Sequence, residues 1–148
     1  GTTCVTGDTL IMTDKGQIPI VDLLDLSEKI PNTFVPLKDE TIKVFDGEVF
    51  RKPICGFYGG WREVIKVQTK TGSISCTPEH RLVVDGRWKY VGHIQVGDKV
   101  WRVREDGTRY EEEVVALSYY EDEVYDLTMD KIDFYGEFDS MELQWNEK

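Results

Sequence analysis

The arrangement that most restricts how this chain can fold is a succession of short runs rich in β-branched and aromatic residues, each closed by a turn signal. The runs TIKVFDG, EVIKVQT, SISCT, RLVVDG, DKVWRV, EEVVALSYY and EVYDLTM concentrate Val, Ile, Thr and Tyr. Such side chains lose rotamer freedom against a helix and pack well on a pleated surface. Asp46-Gly47, Asp85-Gly86 and Asp106-Gly107 punctuate the runs, and Asp-Gly tolerates the positive φ that tight reversals need. The pattern predicts an all-β fold. Two segments leave space for helix, and little of it: IPIVDLLDLSEK for one or two turns after Pro19, and VGHIQVGD for one turn before Gly97-Asp98. Residues 27–41 carry Pro31 and Pro36 with little periodicity, which predicts an irregular surface connection.

Sliding the sequence along itself by 60 positions lays Asp46-Gly47 on Asp106-Gly107, Ile54-Cys55 on Val114-Val115, Phe57 on Leu117, Glu63-Val64 on Glu123-Val124 and Val67 on Leu127, without a gap. Self-similarity of this kind predicts two β subunits of similar build. A looser echo pairs TDKGQIPIVDLL with VDGRWKYVGHIQVGD, each a turn followed by a short apolar segment. At 148 residues there is room for one domain and none for a second catalytic one.

Charge and composition remove several function classes. The net charge of -10, from 18 basic and 28 acidic residues, repels phosphate backbones, so no nucleic-acid partner is expected. No apolar run approaches the roughly 18–20 residues that span a bilayer, so no membrane partner is expected either. The N-terminus lacks the basic and apolar regions of a signal peptide. Cys4, Cys55 and Cys76 form an odd set without the density of a disulfide scaffold, which points to a reducing, cytoplasmic compartment and at least one free thiol. Cys76 and His80 lie four apart, but no C-x-x-C pair accompanies them, and neither a metal nor another cofactor is expected. Trp61, Trp88, Trp101, Trp145 and the pair Tyr119-Tyr120 read as core or strand-face packing.

Three stretches carry chemistry: CVTGDTLI opening at Cys4, SCTPEHRL with Thr77 and His80 three apart, and VYDLTMDKIDFY containing Asp126. In that order they resemble motifs of the Hint-fold autoprocessing domains, and most closely of the protein-splicing inteins, over residues 4 to about 135. The resemblance implies a horseshoe of two pseudo-symmetric β subunits with one or two short helices. It implies a splicing domain over 4–146, an upstream extein remnant or cloning scar over 1–3, and a downstream extein remnant at 147–148. The expected partners are the flanking extein segments in cis, with the chain acting as a monomer.

The same resemblance assigns roles. Cys4 would attack the Thr3 carbonyl in an N-to-S acyl shift, breaking the Thr3-Cys4 bond. An amide is more stable than a thioester, so the fold must strain the peptide or stabilise the oxyanion. His80 would protonate the departing Cys4 nitrogen, which an imidazole of ordinary pKa near about 6.5 can do at neutral pH. Thr77 would position the same peptide, with Pro78 fixing the turn between them, and Asp126 would exchange protons with the thiol. His93 reads as structural.

Toward the C-terminus the sequence departs from the family pattern. Asp133 stands where a histidine is usual and would take over its acid-base role, with Tyr135 at an aromatic position. The closing His-Asn is matched only by Trp145-Asn146, followed by Glu147, a poor acyl acceptor beside a thiol or hydroxyl. Asn146 would cyclise and break the Asn146-Glu147 bond. Three readings of this end stay open: a divergent C-terminal step, an altered or cut junction, and an Asn146 that is merely terminal. VREDGTRYEEEV is too short to hold a homing endonuclease, which implies a mini-intein. Two further functions compete, a Cys-His hydrolase acting in trans and a degenerate Hint domain serving as a binding module.

Overall fold

The computed structural model describes residues 3–132, 138–140 and 145–146, with the backbone alone for 130–132 and 138–140. The strands in chain order are β1 (Val5–Thr6), β2 (Leu10–Thr13), β3 (Gly16–Pro19), β4 (Thr33–Val35), β5 (Val44–Phe45), β6 (Phe50–Arg51) and β7 (Pro53–Thr69). They continue as β8 (Ser73–Cys76), β9 (Arg81–Val84), β10 (Arg87–Tyr90), β11 (Lys99–Val103), β12 (Arg109–Ile132) and β13 (Phe138–Ser140). The expected short helices are single 3-10 turns at Ile20–Leu23, directly after Pro19, and at Val91–His93. One sheet runs β10-β9-β11-β12-β1-β8-β7-β4, with β13 on β12 and a second junction between β12 and β7. The other runs β3-β2-β5-β6.

The internal likeness found in the sequence has a geometric counterpart. β7 and β12 pair antiparallel with each other from Val114 opposite Thr69 to Met129 opposite Pro53. Arg62 faces Asp122 in that ladder, and these two are themselves 60 positions apart. A pair of equivalent residues facing one another marks a two-fold axis, so the two subunits cross at their longest strands. The looser echo is also real: β2–β3 and β9–β10 are hairpins, and each is followed by one of the 3-10 turns. In the β9–β10 hairpin Asp85 (φ 51°) and Gly86 (φ 81°) both take positive φ, as a type I′ turn requires.

The structure corrects the sequence reading in three places. EEVVALSYY and EVYDLTM are one strand, β12, because no Gly or Pro interrupts 109–132 and the polar Glu121-Asp122 between them pairs with Glu63-Arg62. Residues 27–41 are not wholly irregular, since β4 pairs with β7 and buries Val35. Trp61, Trp88, Tyr119 and Tyr120 are exposed, while Trp145 is buried in the main core. That core draws on Val5, Ile11, Leu24, Val67, Val84 and Leu127 among others, and a second small cluster joins Cys4, Val64 and Val124.

Candidate active site

β1 lies between β8 and β12, and its two registers fix the surroundings of Cys4. Val5 faces Cys76 on one side and Tyr125 on the other. Continuing both ladders one residue toward the N-terminus sets Cys4 level with Thr77 in one direction and Asp126 in the other. Residues level across antiparallel strands share a face and stand about 5 Å apart at Cβ. The chain therefore needs no long-range loop to gather these three groups; the strand pairing does it.

At Thr77 the ladder changes partner. The Cys4 N–H donates to the Thr77 hydroxyl (3.0 Å) instead of to a main-chain carbonyl, and that hydroxyl also bonds the Cys4 carbonyl (3.3 Å). The Thr77 N–H donates to the same Cys4 carbonyl at 3.0 Å. The Thr77 carbonyl is thereby left to close a turn, accepting from the His80 N–H at 3.0 Å, with Pro78 presetting φ inside it. The Val91 N–H fixes the His80 carbonyl and the Gly92 N–H that of Pro78.

His80 has no exposed surface, and its ring lies against the Arg81 main chain, which hydrogen-bonds it. Burial pushes its imidazole down to about 4. This differs from the expectation of an ordinary imidazole: burial holds His80 in its neutral form at pH 7.

Cys4 itself is wholly buried. The space for its sulfur comes from Gly59, the extra residue of a bulge where β7 shifts register against β12 between Gly60 and Tyr58. A Cβ added at Gly59 would lie 3.2 Å from Cys4 Sγ and 2.8 Å from Val124 Cγ2. Bulges recur beside functional sites because they re-aim a strand locally. Asp126 is buried in the interior of β12, where its Oδ1 accepts the Leu127 N–H at 2.8 Å. Thr3 is half-buried, ahead of β1.

Asn146 occupies a separate place. Its side-chain Nδ2 donates to the Leu10 carbonyl at 2.8 Å, and its own main-chain carbonyl accepts from Arg102 Nη2 at 3.1 Å. Val103 holds the preceding residue, donating its N–H to the Trp145 carbonyl at 2.9 Å. A cavity of about 110 Å³ is lined by Asn146, Leu10, Tyr120 and Ser75, the last two residues short of Thr77. Asp133, Tyr135 and Glu147 lie outside the described residues. The sequence reading overlooked both Gly59 and Arg102. A signal for the second exists, because in DKVWRV the alternation that turns Val100 inward turns Arg102 inward too.

Solved structures with this architecture were found across nearly the whole chain. The TvoVMA intein superposes with a TM-score of 0.69 at 24% identity, covering 96% of this chain and 95% of that one. The DnaB intein from Synechocystis sp. PCC 6803 does so at 0.64 and 21%, over 96% of each. The DnaX mini intein from Spirulina platensis gives 0.60 and 21%, over 97% and 99%. The chain has the Hint fold of the inteins. In that Hint fold the β11–β12 connection here is only the loop 104–108, and no described helix is long and apolar enough to cross a membrane. No family model matches the sequence. A curated relative, the large subunit of ribonucleoside-diphosphate reductase from Invertebrate iridescent virus 6, is 32% identical over 82 residues. The match takes in 55% of the Hint-fold chain and 7% of the reductase subunit.

Proposed function

We propose that residues 4–146 form a self-processing domain of the protein-splicing type, acting on its own flanks in cis. The observation that carries the reading is the bond from the Cys4 N–H to Thr77 Oγ1. The nitrogen that must depart in an acyl shift is gripped by a side chain, while the sulfur of the same residue lies in a pocket vacated by Gly59. In the first step the Cys4 sulfur adds to the Thr3 carbonyl carbon, the C–N bond to Cys4 breaks, and the thiol proton ends on the freed nitrogen. Asp126, level with Cys4 across the ladder, and the neutral His80 of the turn that Thr77 closes would relay that proton.

In the closing step Asn146 cyclises and the bond to Glu147 breaks. Glu147 offers no thiol or hydroxyl to receive an acyl group, so this sequence favours cleavage at the two junctions over ligation. The reductase match supports the same reading: likeness confined to a small fraction of that enzyme fits a splicing domain lodged inside it.

The test fuses one reporter ahead of Gly1 and another behind Lys148, then follows release with added thiol across a wide range of chain concentration. Release upstream at a rate independent of concentration, abolished by Cys4→Ala, is the expected result. A rate that climbs with concentration would identify a hydrolase acting in trans. No release would leave a Hint-fold binding module.

A further inference from the structure

Arg102 is the least expected residue in the core: an arginine with 1% of its surface exposed, on the inward face of β11. A buried guanidinium is tolerated only when its charge is paired and its donors are used. Glu112 supplies the charge, with Oε1 2.8 Å from Nη1. Thr71 and Thr69 hydroxyls hold that carboxylate in turn. Burial would raise the Glu112 pKa, but the hydrogen bonds from Arg102, Thr71 and Thr69 outweigh it and hold the carboxyl below its usual range. The Trp145 ring covers the guanidinium at 4.9 Å. Gly72 leaves it room, since a Cβ there would sit 3.1 Å from Nη2. Every neighbour fixes the plane of this group.

We propose that Arg102 is a catalytic residue of the C-terminal junction, stabilising the oxyanion that forms on the Asn146 carbonyl during cyclisation. The claim rests on the reading of Asn146 given above and names the group that performs it. In that step Nδ2 of Asn146 attacks the Asn146 carbonyl carbon, closing a five-membered ring, and the carbonyl electron pair moves onto oxygen. Collapse of this intermediate breaks the bond to Glu147. Nδ2 gives up one proton and the Glu147 nitrogen gains one, leaving a succinimide on the domain and a free amine on the downstream segment.

Arg102 is arranged for the intermediate more than for the ground state. One donor, Nη2, already meets the carbonyl oxygen at 3.1 Å. On the planar fork Nε–H points along the same edge as Nη2, and this buried Nε has no partner among the described residues. As charge builds on the oxygen, a second parallel donor is at hand, and interactions that strengthen only in the transition state are those that raise rate. The attacking amide is aimed independently by its bond to the Leu10 carbonyl. Trp145, an indole that donates but exchanges no proton, acts as a positioning residue beneath the guanidinium. The fixed cation thus fills a need that a histidine-poor junction leaves open.

The test uses the full chain with a reporter behind Lys148, in the Cys4→Ala background so that upstream chemistry cannot start. The double variant Arg102→Met with Glu112→Gln removes both charges together and leaves no orphaned carboxylate to unfold the core. Loss of one oxyanion donor usually slows a reaction about 10²–10³-fold, and reporter release is expected to fall by that much. In the same double variant with Cys4 restored, thiol-induced cleavage at Thr3-Cys4 is expected to keep its rate, showing an intact fold. Release at the parent rate would overturn the proposal, and so would equal loss at both ends, which makes Arg102 a structural residue. A parent chain that never frees its downstream reporter would instead refute the reading of Asn146, and the role of Arg102 with it.

Discussion

Replacing Gly59 with alanine probes the N-terminal site through space alone, without replacing a reactive group. The new methyl would stand 2.8 Å from Val124 Cγ2 and 3.2 Å from Cys4 Sγ. Carbon contacts settle near about 3.5–4.0 Å, so roughly 1 Å of relief is needed. Val124 and Cys4 have no exposed surface into which to retreat, and Val124 is anchored in β12 by its ladder to Gly60. Overpacking of this kind costs about 1–3 kcal/mol. In a domain of this size that lowers Tm by roughly 2–10 °C. The sulfur takes up part of the displacement, and a shift near 1 Å at a reacting atom costs about a hundredfold in rate. Thiol-induced release of an upstream reporter and a thermal melt together check both numbers. A Gly59→Ala chain that cleaves at the parent rate with an unchanged melt would refute the placement of the Cys4 sulfur in the bulge.

Two further outcomes follow from the same site. Thr77→Val keeps the shape and removes the acceptor of the Cys4 N–H. Leaving that buried donor unpaired costs about 1–3 kcal/mol, so cleavage should slow about ten- to a hundredfold while Thr77→Ser keeps it; equal rates for Val and Ser would contradict the role of the hydroxyl. His80, lowered in the fold to about 4, stays neutral while the unfolded chain takes up a proton below about 6.5, so stability is full above that value and drains as pH falls toward 4. The loss is about 3 kcal/mol, read as the difference in denaturant midpoints between the parent and His80→Gln across that window; identical profiles would show that the ring is solvated.

Much of the fold was legible because strand pairing and turn chemistry are local. Asp85-Gly86 announces its hairpin in two residues, and the shift of 60 survives because β7 and β12 are equivalent strands that meet on a two-fold axis. Strand length was not legible, since the bulges that let β7 and β12 run on leave no mark beyond Gly59-Gly60 and an absence of breakers. At the site, Cys4, Thr77, His80 and Asp126 were nameable from motifs, yet their grouping depends on β1 inserting between β8 and β12, a pairing across more than 70 residues in one direction and about 120 in the other. The depressed pKa of His80 depends on its full burial in the fold, which no local pattern reports. Arg102 was legible only in part. The alternation of DKVWRV turns Arg102 inward, but what pairs and covers its charge becomes visible only with Glu112 and Trp145 around it.

The most direct measurement concerns the acyl linkage itself. With a reporter ahead of Gly1 and an excess of a small thiol, intact-mass analysis of the freed reporter should find a chain ending at Thr3 and bearing that thiol as its C-terminal thioester, with none from Cys4→Ala. A freed reporter ending in a plain carboxylate, or a thioester that persists when Cys4 is gone, would contradict an acyl shift onto the Cys4 sulfur.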